Sequence, residues 1–402
     1  MIIPKITNRI HKCLEIAESI NLTNKEEENL TLELTYYFKK LIVHLLTKKE
    51  KENYKRKIKL IADSKNLNKL FNRLYKKEAY SFNKSISLKS NLMLLFFPKS
   101  YQTTNIIYKE FTDLFNSSNN LKKSSTFYVL NLSKTIINSY KIKTKLYKFF
   151  EQKHINSLVI EAYDLIKLEK KLPNLQEFLS INIKNNLILK VKNEDEILWA
   201  LDFLKGLNNL SPKLEIGLSI NIINKNLVRS IYKNIEAIKT LNNFTFRLCK
   251  RYEKSNKNQL LKNNTFYKWA TYSIIQIARK SQIRLLIQSH NIHDISWLII
   301  IRAQLNLENK ISFEINISKH PNIAKILMII NKSNIQSQVI LLDKKKEIIK
   351  IIIEKLSYQA MVYQIFKKSP YNISHLFIKS HRQFFNYLRR NYVKLFLNKN
   401  ED

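Results

Sequence analysis

Three consecutive polar residues, Ser289, His290 and Asn291, end the apolar run Leu285-Leu286-Ile287-Gln288, and a helical pattern starts just beyond them. Polar groups at the end of a buried strand are where a parallel α/β barrel keeps its chemistry. Arg247 stands near the end of a second run, Phe244–Cys249, and Glu161 and Lys190 stand at or near the ends of two more. Such charges admit two readings: a site that faces a ligand, or a buried ion-pair cluster that occupies the place of one. His290 either lines the barrel mouth or is a satisfied polar residue. His293 starts the next helix, and Asp294 is the acidic charge that a helix N-terminus favours. Other chemistries are excluded by what is missing. The histidines show no metal-ligand spacing with acids. No nucleophile elbow or Ser-His-Asp signature is present.

The elements that position these residues follow from hydrophobic periodicity. Short β-branched or aromatic runs alternate with amphipathic helical stretches from about residue 126 onward. The predicted strands are Thr126–Leu132, Ser157–Tyr163, Asn186–Val191, Leu214–Ile220, Phe244–Cys249, Ile283–Gln288, Ile311–Asn316 and Ser337–Leu342. Their spacing suits one strand, one helix and two loops per unit, for which a crossover needs ~30 residues. Eight such units predict an α/β fold, a (βα)8 TIM-like barrel. Ile197, Leu198, Leu201, Leu204 and Leu207 form one predicted helix face, and Leu227, Ile231, Ile235 and Ile238 another. The eighth helix spans 345–366.

Residues 1–118 read as an all-helical N-terminal arm. Ile6, Ile10, Cys13, Leu14 and Ile20 recur at helical spacing, and Thr23-Asn24-Lys25-Glu26 is a capping box. The helix it opens carries Leu30, Leu34, Phe38, Leu41, Ile42 and Leu45. Further helices run through 58–61 and 67–74. Residues 116–125 have a linker's composition, 119–368 hold the barrel, and 369–402 form a basic C-terminal helix.

The chain has 402 residues and 45% hydrophobic composition, so it can bury a large core. Its net charge is +38. That charge either serves nucleic acid or an anionic surface, or reflects a bias toward Lys, Asn and Ile, since the lysines form no dominant block. Gly206 and Gly217 are the two glycines, so glycine-rich phosphate loops are excluded and Asn must occupy turn positions that need positive φ. Cys13 and Cys249 are too few for a disulfide framework, which fits a reducing, cytoplasmic setting. No apolar stretch is long enough for a signal peptide or a transmembrane segment.

Several segments resemble the proline dehydrogenase barrel of bacterial bifunctional proline-utilisation flavoproteins. Phe246-Arg247-Leu248-Cys249-Lys250-Arg251-Tyr252 is similar to that family's Arg-Leu-Val-Lys-Gly-Ala-Tyr segment, with Arg247 and Lys250 matching. Lys268 and Thr271 match a segment that opens a helix and serves the cofactor. Ser289-His290-Asn291 resembles the family's Ala-Ser-His-Asn run, and Ser312-Phe313-Glu314 the strand after it. The resemblance implies an FAD-dependent oxidoreductase that converts L-proline to 1-pyrroline-5-carboxylate. Arg247, Lys250, Lys268, Thr271, Ser289, His290 and Asn291 would be cofactor-binding, with Arg247 and His290 as donors to the flavin edge and Lys250 or Lys268 near the pyrophosphate.

The family's substrate positions are altered here. Its second-strand lysine falls at Glu161, its third-strand aspartate at Lys190 and its fourth-strand glutamine at Ser219. Its Arg-Arg carboxylate clamp falls in the frame Glu354-Lys355-Leu356-Ser357-Tyr358. Losing two charged contacts of ~1.5–3 kcal/mol each removes about 3–6 kcal/mol, roughly two to four decades in binding or rate. The expectations that follow are a diverged proline-dehydrogenase-like flavoprotein, a catalytically dead barrel of the same ancestry that binds a partner, or a basic nucleic-acid-binding protein.

Overall fold

The computed structural model describes residues 2–45, 126–130, 157–170, 172, 174–183, 186–250, 257–315, 323, 326–327 and 335–340. The expected helices at 58–61, 67–74 and 345–366, the linker, the C-terminal helix and the positions Glu354, Lys355 and Tyr358 lie outside these residues.

The chain is mixed α/β. Helices α1 (Ile2–Ser19) and α2 (Asn24–Leu45) precede strand β1 (Thr126–Leu130). Then come β2 (Ser157–Glu161), α3 (Ala162–Glu169), α4 (Leu175–Asn182), β3 (Asn186–Lys190), α5 (Glu194–Leu210) and β4 (Glu215–Asn221). Helices α6 (Lys225–Lys233) and α7 (Ile235–Lys239) lead to β5 (Phe244–Cys249), α8 (Lys257–Arg279), β6 (Arg284–Gln288), α9 (Ile292–Gln304), β7 (Ile311–Ile315) and β8 (Ile335–Ile340). Every strand pairs in parallel with its chain neighbour, and β8 pairs with β1, which closes the sheet.

Parallel strands covered by helices bury their outer face in apolar contact, and the residues between point the other way. Leu158 and Ile160, Leu187 and Leu189, Phe244, Phe246 and Leu248, and Leu285 and Ile287 pack into one core with the helices. The alternate positions turn into the closed sheet. Val159, Ile188 and Leu286 form a small apolar cluster of their own there. The rest of that inner set is polar, and it builds the site described below.

Four sequence expectations need correction. Tyr163 belongs to α3, not to β2, because the helix starts at Ala162 directly after Glu161. Leu198 is exposed, and the buried face of α5 uses Ala200 and Phe203 with Ile197, Leu204 and Leu207. Ile20 is exposed because α1 ends at Ser19, and Ala17 completes its buried face instead. The single helix expected over 227–238 divides at Asn234 into α6 and α7.

Two features of composition take on structural form. Positive φ occurs at Asn243 (φ 50°) and Asn306 (φ 53°), so asparagine does occupy turns that favour glycine. Gly217 is retained for a steric reason: a Cβ there would lie 2.0 Å from the Thr245 carbonyl oxygen of β5.

Helix α9 is buried on almost every side, from Ile292 through Ala303. A helix apolar all round must be covered all round. Helices α1 and α2 pack against α9, and its buried residues join the same core as those of the strands. Trp297 Nε1 of α9 donates to Glu27 Oε1 of α2 at 2.7 Å. The capping box forms as expected: Thr23 N donates to Glu26 Oε2 (2.7 Å) and Glu26 N to Thr23 Oγ1 (3.4 Å). The Thr23 backbone N–H and hydroxyl both donate to the Glu26 carboxylate and hold it below its ordinary pKa. Among the described residues, no helix is long and apolar enough to cross a membrane.

Candidate functional site

The centre of the inner polar set is Arg247. It sits on β5 directly opposite Ser219 of β4 and Leu286 of β6. Leu286 is apolar and cannot answer the guanidinium, so the side chain reaches past β6 to β7. There Arg247 Nε donates to Glu314 Oε2 at 2.5 Å and Nη2 donates to Oε1 at 2.6 Å, a bidentate fork. Nη1 donates to Ser219 Oγ at 2.8 Å and to Cys249 Sγ at 3.2 Å. Gln288, paired with Glu314 in the register, donates to its Oε1 at 3.3 Å. Both charged side chains are 0% exposed. Burial alone disfavours the guanidinium charge. The neighbouring Cys249 and Glu314 outweigh that and raise the pKa of Arg247 above its ordinary value.

A second cluster lies at the strand ends of β2 and β3. Glu161 and Lys190 are register partners, and Lys190 Nζ and Lys192 Nζ each bond one oxygen of the Glu161 carboxylate. Burial works to raise the Glu161 pKa, but the two lysines prevail and lower it. Lys192 is correspondingly raised, its own burial being outweighed by Glu161. The next residues form an N-terminal cap: Asn193 Oδ1 accepts from Glu196 N (2.8 Å), and Glu196 Oε2 accepts from Lys192 N (2.8 Å). Burial raises the Glu196 carboxyl. The ion pair that the sequence allows between Glu161 and Lys190 is therefore present, while Arg247 pairs elsewhere.

A third cluster joins β5 to α9. Lys250 Nζ meets Asp294 Oδ2 at 2.6 Å and lies over the Tyr267 ring, 4.1 Å from its centroid. Asp294 is in the first turn of α9, where the expected dipole interaction is joined by this buried partner. Asn291 caps the same helix by accepting from His293 N at 3.0 Å, and Ser289 Oγ accepts from Asn291 N at 3.3 Å. His290 is half-buried in the loop between β6 and α9. The neighbouring His293 has its pKa lowered, by burial first and then by Lys268.

Lys268 and Thr271 stand elsewhere than expected. They lie inside α8, which begins at Lys257, not at a helix opening. An interior position offers no free backbone N–H to a phosphate. Lys268 Nζ lies 5.6 Å from the centroid of Trp297, and Thr271 is fully buried. The site residues that sequence reasoning passed over are Glu314, Gln288, Cys249 and Asp294. Their signal was available for the first three: each is a polar residue at an inward position of its strand, at even spacing from Arg247 or its partners. Among the described residues no group of His, Cys, Asp and Glu is placed to hold a metal.

No protein-family model matches the sequence, and no curated protein does. Solved structures do. Proline utilization A (PutA) from Bdellovibrio bacteriovorus, inactivated by N-propargylglycine, aligns over 96% of this chain and 43% of its own, with 13% identity and a TM-score of 0.47. A point variant of proline utilization A from Bradyrhizobium japonicum aligns over 90% of this chain and 44% of its own, with 12% identity and a TM-score of 0.44. The chain thus spans less than half the length of these structures.

Proposed function

We propose that this chain is a (βα)8 barrel of the proline dehydrogenase kind, preceded by an all-helical arm, that has become a non-catalytic binding protein. One observation carries the reading. The Arg247 guanidinium, which the resemblance assigns to the flavin edge, is enclosed and bonded to Glu314, Ser219 and Cys249. A cation so engaged fits a flavin poorly, because turning it toward a ligand would strand the Glu314 carboxylate in the interior. Lys250 is likewise engaged by Asp294, and Thr271, within α8, is fully buried. The altered substrate positions add to this: Glu161 and Lys190 neutralise each other where the family keeps a lysine and an aspartate.

A second reading has its own support. Ser289, His290 and Asn291 keep the family-like run at the end of β6, and His290 is half-buried at the loop. On that reading the protein binds FAD and oxidises L-proline. Purification from cells supplied with riboflavin separates the two. The non-catalytic barrel is colourless after desalting, shows no proline:dye reductase activity, and gains no thermal stability from tetrahydrofuran-2-carboxylate. A yellow protein with a flavin absorption band, protected by that analogue, would refute it.

A further inference from the structure

Outside the barrel interior, one surface combines exposed aromatic rings with cations. Trp269 is 57% exposed and Tyr272 41%, both on α8. Phe266 lies one turn before Trp269, their centroids 5.5 Å apart at 37°. Tyr232 of α6 approaches Trp269 across the interhelix seam, 6.5 Å away at 36°. Lys225 Nζ of α6 lies 5.5 Å from the Phe266 centroid. Lys225, Arg229 and Tyr232 follow one another at i, i+4 and i+7, so they form one ridge of α6 beside the α8 ridge.

The charge on this face is one-sided. Neither α6 nor α8 contains an aspartate or glutamate. Of the acids on the flanking helices α5 and α7, Glu194 pairs with Lys233 at 3.3 Å and Glu236 with Lys239 at 2.6 Å. Rings that lie open beside unpaired-sign cations match the chemistry of single-stranded nucleic acid, whose bases stack and whose phosphates need cations. Two other occupants fit less well. A second copy of a chain carrying +38 would repel itself here. A bilayer takes up a continuous apolar face inserted about 5–10 Å deep, and among the described residues of α6 and α8 only Trp269 and Tyr272 are large apolar side chains that are exposed.

We propose that the α6–α8 face binds single-stranded nucleic acid, with a base stacked on Trp269 and phosphates held by Lys225 and Arg229. The site is independent of whether the barrel holds a flavin. Overall charge alone would bind any polyanion, so the test must isolate the stacking. Full-length protein is titrated with oligothymidylate, and with a duplex of equal length, at a near-physiological salt of ~0.15 M. Intrinsic Trp269 fluorescence reports on the wild type, since Trp297 is buried and Trp199 is stacked on Phe203, and the anisotropy of a fluorophore-labelled strand gives the affinities of every protein, including the variant that lacks this ring. The expected result is quenching by the single strand, and a loss of about 5- to 150-fold in its affinity for Trp269→Ala, from ~1–3 kcal/mol per stacked base. Duplex affinity stays the same in that variant, and its melting temperature matches wild type because the ring is exposed. Lys225→Glu with Arg229→Glu weakens the single strand and flattens its salt dependence. Equal single-strand affinity for wild type and Trp269→Ala would overturn the proposal. So would a blue shift of Trp269 emission on phosphatidylserine vesicles without any response to oligothymidylate, which would assign the face to membranes.

Discussion

Replacing Glu314 by glutamine keeps the shape of the interior and removes one charge. Arg247 would then keep its positive charge at a position with no exposure, facing an amide. The Ser219 and Cys249 contacts satisfy hydrogen-bond directions on Nη1 but supply no countercharge that Glu314 supplied. Breaking a buried pair from one side costs about 3–5 kcal/mol, a large fraction of the ~5–15 kcal/mol that holds a typical domain. The double replacement Arg247→Met with Glu314→Leu removes both charges and fills similar volume. It should recover most of the loss, because desolvation of two ions is no longer required. Urea unfolding of wild type, Arg247→Met, Glu314→Leu and the double variant, followed by far-ultraviolet circular dichroism, gives the four stabilities of the cycle. The expected coupling between the two sites is at least ~3 kcal/mol, well above the ~0.5 kcal/mol scatter of independent sites. A Glu314→Gln variant within ~1 kcal/mol of wild type, or single variants whose effects simply add, would refute the buried-clamp reasoning.

Four further outcomes are expected. Gly217→Ala should destabilise by ~3 kcal/mol or more, since its Cβ meets the Thr245 backbone. Gly206→Ala should be near neutral, because only the Gln176 side chain must move and helix propensity gains ~1 kcal/mol; chemical denaturation of both variants tests the contrast. Burial lowers the Lys39 pKa to about 8. The unfolded chain then holds more protons between about pH 8 and 10.5, so this group makes stability rise with pH over that window. Lys39→Met should abolish that rise, and the difference between the two proteins isolates it from the Cys13 thiol, pushed up to about 12, which acts in the opposite sense above pH ~9. Asn306→Gly should be tolerated, whereas Asn306→Val should cost ~1–2 kcal/mol at its positive φ, read from melting curves.

The strand positions were legible because each buried strand is a short β-branched or aromatic run bounded by polar residues. All eight expected runs overlap observed strands, and Phe244–Cys249 agrees at both ends. Strand and helix boundaries were less legible where no cap or turn residue marks them, as at Glu161–Ala162. The placement of Arg247 illustrates a different limit. Periodicity told which face it shares, but not that its partner would lie two strands away on β7, since that distance depends on the stagger between strands and on Leu286 lying between. Lys268 was misplaced because its position came from the resemblance, whose matching segment opens a helix; Ser255-Asn256, of capping type directly before Lys257, was the available signal for the earlier start.

The hydrogen bond from Trp297 to Glu27 spans 270 residues of sequence, and this has a consequence for synthesis. Helices α1 and α2 leave the ribosome long before α9 exists. At ~5–20 residues per second, their apolar faces at Ile10, Leu34 and Ile42 wait about 15–55 s for their partner. Among the described residues, the contact open to the two helices during that interval is with each other. Their mutual packing, sealed by the Thr23–Glu26 cap at the turn, therefore acts as a holding structure for the nascent chain. Weakening that cap should lower the yield of folded protein by more than it lowers the stability of the finished molecule.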